Sequence, residues 1–217
     1  MKSRYHIEIT KRALSNQFSQ KALYTIIKAN VRQDRIQYQI GHDHIHFDNS
    51  SFEKGFSYIQ VQKDKLIHAI SLDQHDIARD ALGKITHSWQ DFYSHSNYVR
   101  LWLATTCIST PREINHDDVK IMNHPDLKSG KIYGIIEFVA ILPGLSEIIT
   151  PMMPHDSHAQ MNLDSPKSGH MFPFAYWAAL KRTKDIYNQL IVELFGLNMN
   201  KQTILNFKGQ SDQEVKV

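Results

Sequence analysis

Gly83-Lys-Ile-Thr-His87-Ser-Trp-Gln-Asp91-Phe-Tyr-Ser-His95-Ser-Asn-Tyr-Val99 is the stretch on which the fold turns. His87, Asp91 and His95 recur at every fourth position. On a helix four residues overshoot one turn by about 40°, so the three side chains fall within an arc of roughly 80°. Imidazole, carboxylate and imidazole on one stripe make a ladder of metal-ligand groups. Ile85, Trp89, Phe92 and Val99 take up most of the remaining surface, which predicts a largely buried helix. Polar groups on a buried helix must find partners, and a metal ion satisfies several at once.

Outward from this stretch the chain reads as one all-α domain, multi-helix and with a real core. Its 217 residues and 41% hydrophobic content suit that size. The net charge of +3 argues neither for nor against nucleic acid. A single cysteine, Cys107, excludes an internal disulfide and a cysteine-based zinc site. Histidines outnumber glycines, 13 to 9, and they cluster. The start carries no apolar leader-like segment and no run reaches the length of a membrane span, so the expectation is a protein cytoplasmic as synthesised.

Helical spacing covers residues 4–18, 21–31 and 52–70, with a short helix over 34–41 ended by Gly41 and a loop over 42–51. Asp73 reads as the N-cap of one helix running from 74 to 105. Thr110-Pro111-Arg112-Glu113 has the form of a capping box opening a helix toward Met122. A helix around 131–142 follows, holding the apolar run Ile132 to Leu142, and Pro143-Gly144 punctuates it. The proline-rich residues 150–169 read as a long ordered loop or lid. A final long helix spans 172–196, stopped by Gly196. The domain is placed at 1–207, with a polar tail over 208–217.

Four separated segments carry His and Asp: His6; His46 with Asp48; His87, Asp91 and His95; and His155 or His158 with Asp164. Nitrogen and carboxylate ligands from several helices, without cysteine, are what a multinuclear zinc site requires. A bridging carboxylate can hold two metals about 3.5–4 Å apart, positioning a hydroxide for phosphoester displacement. His42 and His44 read as surface residues, and Tyr93 and Tyr98 as packing.

These motifs resemble Het-C-like proteins, which are grouped with zinc-dependent phospholipases C and single-strand nucleases. His6-Ile-Glu-Ile-Thr-Lys-Arg-Ala-Leu14 looks like their opening motif, and His46-Phe-Asp48-Asn49 matches their His-Phe-Asp. Leu82-Gly83 through Gln90-Asp-Phe-Tyr-Ser-His-Ser-Asn97 is similar to their longest motif. Met161-Asn-Leu-Asp164-Ser-Pro with Ala175, Ala178 and Thr183 looks like their closing segment. The resemblance covers roughly residues 4–185. It implies His6, Asp48, His87, Asp91, His95 and His158 as ligands of two or three zinc ions, with Asp91 bridging. The related secreted enzymes use an N-terminal tryptophan amine as a ligand, so the Met1 amine becomes a candidate. Those enzymes also use a His-x-x-x-Glu step, whereas His158 and Asp164 here are six positions apart.

What the resemblance implies is a zinc-dependent phosphodiesterase of the phospholipase C type. Asp48 or Asp91 would orient or deprotonate a zinc-bound water, and the substrate would be a phospholipid or another phosphodiester. The 132–142 segment and the Met152-Met153 loop would supply peripheral membrane contact. The alternatives are a single-strand nuclease, with Tyr93, Tyr98 and Trp102 as stacking rings for nucleic acid, and a non-catalytic cell-death or membrane-interaction module whose metals hold the helices together.

Overall fold

The structure, a computed structural model, describes residues 1–134, 136–137 and 146–210. Helices account for the architecture: α1 (Ser3–Leu14), α2 (Gln20–Arg32), α3 (Ile36–Gln39), α4 (Asp43–His46), α5 (Phe52–Ser71), α6 (His75–His95), α7 (Tyr98–Thr105), α8 (Val119–Met122), α9 (Ser146–Ile149), α10 (His158–Met161), α11 (Phe172–Gly196) and α12 (Lys201–Lys208). The all-α expectation holds. Among the described residues the only β pairing is two isolated bridges, Ser96 with Ser129 and Lys131 with Ser157. None of the described helices is long and apolar enough to cross a membrane.

α6 is the central rod, packed against α2, α5 and α11. Its sequence explains why. Ala78, Ala81, Leu82 and Ile85 lie at helical spacing and enter one core with Ile26, Leu66 and Leu190. Further along, Phe92 and Tyr93 enter a second core with Phe47, Tyr98, Trp102 and Leu180. Each fully buried large apolar side chain contributes roughly 1.5–3 kcal/mol. Gly83 permits the closest approach: a Cβ there would lie 2.3 Å from the Ile26 carbonyl oxygen and 2.7 Å from the Ala29 Cβ.

Several boundaries differ from the sequence reading. The predicted helix 74–105 is two helices. α6 stops at His95, and Ser96 takes an extended conformation because Asn97 N–H turns away to donate to the Lys128 carbonyl. Asp73 is not a cap; it sits at φ 55° in the turn before Gln74, and no side chain caps α6. Thr110 likewise makes no capping bond. Pro111–Glu113 is a single 3-10 turn, and α8 starts instead from Asp118, whose carboxylate accepts from Lys120 N–H. The 150–169 segment is broken into short turns around α10. The predicted helix over 131–142 and its Pro143-Gly144 stop lie largely outside the described residues. α12 lies beyond the last helix that the spacing predicts; Asn200 caps it, and Ile204 and Phe207 anchor it in the core.

The short segment between α4 and α5 has unusual backbone. Phe47, Asn49 and Ser50 have φ of 59°, 52° and 52°. A left-handed conformation costs a side-chain-bearing residue roughly 1–2 kcal/mol. For Phe47 the surrounding rings offset it: the ring is fully buried, 5.2 Å from Phe56 and 5.3 Å from Phe92. Gly55 leaves it room, since a Cβ there would meet the Phe47 ring at 2.5 Å. With Phe47 pinned inward, the residues on either side of it, His46 and Asp48, are both delivered to α6.

Candidate metal centre

The buried end of α6 gathers donors from five parts of the chain around Asp91. Asp91 Oδ1 lies 2.5 Å from the Met1 nitrogen and 3.1 Å from His6 Nε2. Its Oδ2 lies 2.8 Å from His46 Nδ1 and 2.9 Å from His87 Nε2. His95 Nε2 sits 3.1 Å from the Met1 nitrogen and 3.2 Å from Asp164 Oδ1. Asp48 Oδ1 is 2.8 Å from His158 Nδ1 and 3.3 Å from His95 Nδ1. Every predicted ligand is therefore in one site: His6, His46, Asp48, His87, Asp91, His95, His158 and Asp164. His155 is exposed and takes no part.

Each donor is placed by local structure. His6 is one turn into α1, and α1 is held at its start by Lys2 N–H donating to the Asp164 carbonyl. Asp164 is fixed in turn by Ser94, whose hydroxyl donates to its carboxylate and whose carbonyl accepts from Leu163 N–H. His158 opens α10, where Ser157 caps the helix and His158 N–H donates to Lys131 O. Gly130 touches the His158 backbone and donates its own N–H to His95 O.

The electrostatics follow from burial and proximity. Burial alone would raise the Asp91 carboxyl, but the Met1 amine and the imidazoles of His87, His95 and His6 hold it well below the carboxylate range. Burial likewise opposes Asp48, and His158 and His95 outweigh it, so this carboxyl is also held down. Burial pushes His87 down to about 4, which keeps its imidazole neutral and its lone pair available. His95 goes the other way, up to about 10: burial and the Met1 amine oppose its charge, but Asp91, Asp48 and Asp164 win.

Two sets of donors are spaced for a cation: His6, Asp34, His87 and Asp91, and separately Asp48, His95 and His158. The fit is more than proximity. His6 Nε2 is buried and makes no hydrogen bond, although Asp91 Oδ1 is 3.1 Å away; the approach is out of line. A set of imidazoles and carboxylates without thiolate is one that zinc and other divalent metals accept. A pocket of about 320 Å³ opens onto the centre, bordered also by Lys2, Gln39, Ile132 and Glu137.

Sequence reasoning missed two acidic residues here. Asp34 follows α2 and sits 3.8 Å from His87 Nε2, its other oxygen accepting from Ser3. Glu137 is buried, and its carboxylate accepts from Ala159 N–H at 2.5 Å, holding the start of α10. Neither lies at a ligand-type spacing from another donor, so only the fold brings them in.

An all-α domain with a buried His/Asp centre is the class that fold and site define. The chain belongs to the VWA7 N-terminal domain family, whose sequence model matches residues 3–112. Over 81 residues it is 36% identical to von Willebrand factor A domain-containing protein 7 of Homo sapiens, and 35% identical to that of Rattus norvegicus. These alignments cover 37% of this chain and 9% of each relative, so the chain matches about a tenth of their length. No solved structure matches.

This membership overturns the Het-C-like resemblance, and with it the phosphodiesterase, phospholipase C and other hydrolase readings, the nuclease alternative and the cell-death alternative. The physical source of the error is plain in the structure. The 83–99 stretch satisfies two demands, burying a central helix and aiming donors at one point, and neither demand encodes a substrate. The nuclease alternative also fails on burial. Tyr93, Tyr98 and Trp102 are at most 4% exposed and leave no ring free for a base. Of the proposed lipid-facing residues, Met153 is buried while Met152 is 80% exposed, and most of 132–142 lies outside the described residues.

Proposed function

We propose that this domain is a zinc-binding module with a two-ion centre built on Asp91. The observation that carries it is the sharing of the Asp91 carboxylate. Each oxygen faces nitrogen donors from separate segments, and the whole group is buried. His6, His87, Asp91 and Asp34 would hold one ion. Asp48, His95 and His158 would hold the other, with Asp164 and the Met1 amine beside them. Protons or cations must lie between so many facing lone pairs, and buried charge of this density is stable only when so compensated. A zinc ion held by these residues would supply Lewis acidity toward an oxygen ligand entering through the pocket.

Element-resolved mass spectrometry of the purified chain tests this. About two zinc ions per chain are the expected result, one for each donor set. Asp91→Asn, which removes the charge of the first set's carboxylate, should lose that set's zinc while keeping its helical circular dichroism. A chain that stays zinc-free after dialysis against micromolar zinc would overturn the proposal. Extending the N-terminus by two residues tests the Met1 amine, and unchanged zinc content would remove it from the ligand set.

A further inference from the structure

Behind the metal centre lies a polar network that is closed to solvent. His6, Thr10, Asn30, Thr86, Gln90 and Thr183 are all fully buried, and they join α1, α2, α6 and α11. Gln90 is its hub. Its Oε1 is 2.6 Å from His6 Nδ1 and 3.2 Å from Asn30 Nδ2. Its Nε2 is 3.2 Å from Thr10 Oγ1 and 3.1 Å from Thr183 Oγ1.

The direction of every bond can be traced to groups that only accept. The Thr183 hydroxyl donates to the Ala179 carbonyl at 2.8 Å, so toward Gln90 it is an acceptor. It must therefore face the Gln90 amino group, which leaves the Gln90 oxygen for His6. A second route gives the same answer. The Thr86 hydroxyl donates to the Gly83 carbonyl at 2.9 Å, so it accepts from Asn30. Asn30 thus presents its amino group to both Thr86 and Gln90, and Gln90 must answer with its oxygen. Two backbone carbonyls on different helices fix one amide orientation.

We infer that Gln90 is a positioning residue that locks His6 in the tautomer with its proton on Nδ1, leaving the buried Nε2 lone pair free beside Asp91. His6 Nδ1 faces an acceptor and has to donate. His6 Nε2 is then the bare nitrogen, buried and without a hydrogen bond, 3.1 Å from Asp91 Oδ1. Imidazole ligands are commonly oriented this way, by a bond to the ring nitrogen that does not bind the metal. Here the acceptor is a side-chain amide whose own orientation is enforced by threonines on α6 and α11. The consequence for zinc rests on the function proposed above; the tautomer does not.

The test is long-range proton–nitrogen correlation NMR of His6 in the ¹⁵N-labelled, metal-free chain. The wild-type protein should show Nδ1 as the protonated nitrogen and Nε2 as the bare one. Gln90→Met keeps the volume and removes the acceptor, so His6 should shift to the other tautomer or to a mixture. Zinc affinity should then fall about 10–100-fold. If Gln90→Met does not fold, the double variant Thr86→Val, Thr183→Val removes both locks while keeping Gln90, and the same shift is expected. A wild-type His6 protonated on Nε2, or a folded variant whose His6 remains protonated on Nδ1, would overturn the inference. If the wild-type chain shows the Nδ1 tautomer but takes up no zinc, the zinc proposal fails and the role of Gln90 stands.

Discussion

Gly130 lies against His158 with no room for a side chain between them: a Cβ on residue 130 would sit 2.5 Å from His158 Cα and 2.9 Å from its backbone nitrogen. Gly130→Ala must displace the start of α10 and draw His158 away from Asp48. Overpacking against backbone costs about 1–3 kcal/mol. We predict that Gly130→Ala keeps its helical circular dichroism and loses the zinc held by Asp48, His95 and His158. Mass spectrometry should read about half the wild-type zinc content; full zinc content would refute the prediction.

Gly83 plays the equivalent part for the fold itself. Alanine is the better helix former by about 1 kcal/mol, but its methyl would collide with the Ile26 carbonyl and the Asn30 nitrogen of α2. Gly83→Ala should therefore destabilise the protein by up to about 2 kcal/mol on balance. Urea unfolding measures this, and a variant as stable as wild type would show that the α2–α6 contact can relax.

The Tyr93 hydroxyl donates to the His116 carbonyl at 2.6 Å and accepts from Arg182 Nε at 3.2 Å. Arg182 itself lies 4.1 Å above the Trp89 ring and pairs with Asp117. Tyr93→Phe keeps the ring and removes only the hydroxyl, orphaning a carbonyl in the process. A loss of about 1–3 kcal/mol is expected, with zinc content unchanged. Loss of zinc in this variant would show that the 114–118 loop is coupled to the metal centre.

Zinc at the proposed centre would compete with protons. Against the opposing effect of burial, Asp164 and Asp91 raise the Met1 amine from 8.0 to about 11, and His95 rises to about 10. Both groups are protonated at neutral pH in the metal-free chain, so zinc must displace protons and its affinity should rise with pH. Titration calorimetry in buffers of different ionisation enthalpy should detect that release. For the metal-free fold the sign is opposite. The stabilisation from the Met1 amine is complete below pH 8.0 and fades as pH rises through about 11. Chelated protein should thus become easier to denature over that range, and a flat profile would count against the amine as a buried partner of Asp91.

The donors on α6 were legible in the sequence because helical periodicity is local: His87, Asp91 and His95 share a face wherever the helix goes. His6, His46 and Asp48 were found from their motifs, and the structure brings them in through Phe47's left-handed turn and the docking of α1. The break at Ser96 was not legible, because a tertiary bond to Lys128 decides it rather than a breaker residue. Asp34, Glu137 and the Gln90 network were invisible for the same reason. Their roles depend on which helices become neighbours. The reaction was the least legible of all, since ligand spacing reports on a cation and is silent on what that cation meets.

The centre also has an order in time. Lys2 is tied to Asp164 by a backbone hydrogen bond, so the two ends of the site are far apart along the chain. During synthesis His6, Asp34, His87 and Asp91 are all made well before His158, but a domain folds as a unit. Neither half of the centre is therefore set until Asp164 and Thr183 are in place. A nascent chain stalled after α7 should capture no zinc, and uptake should begin only once α11 has been made.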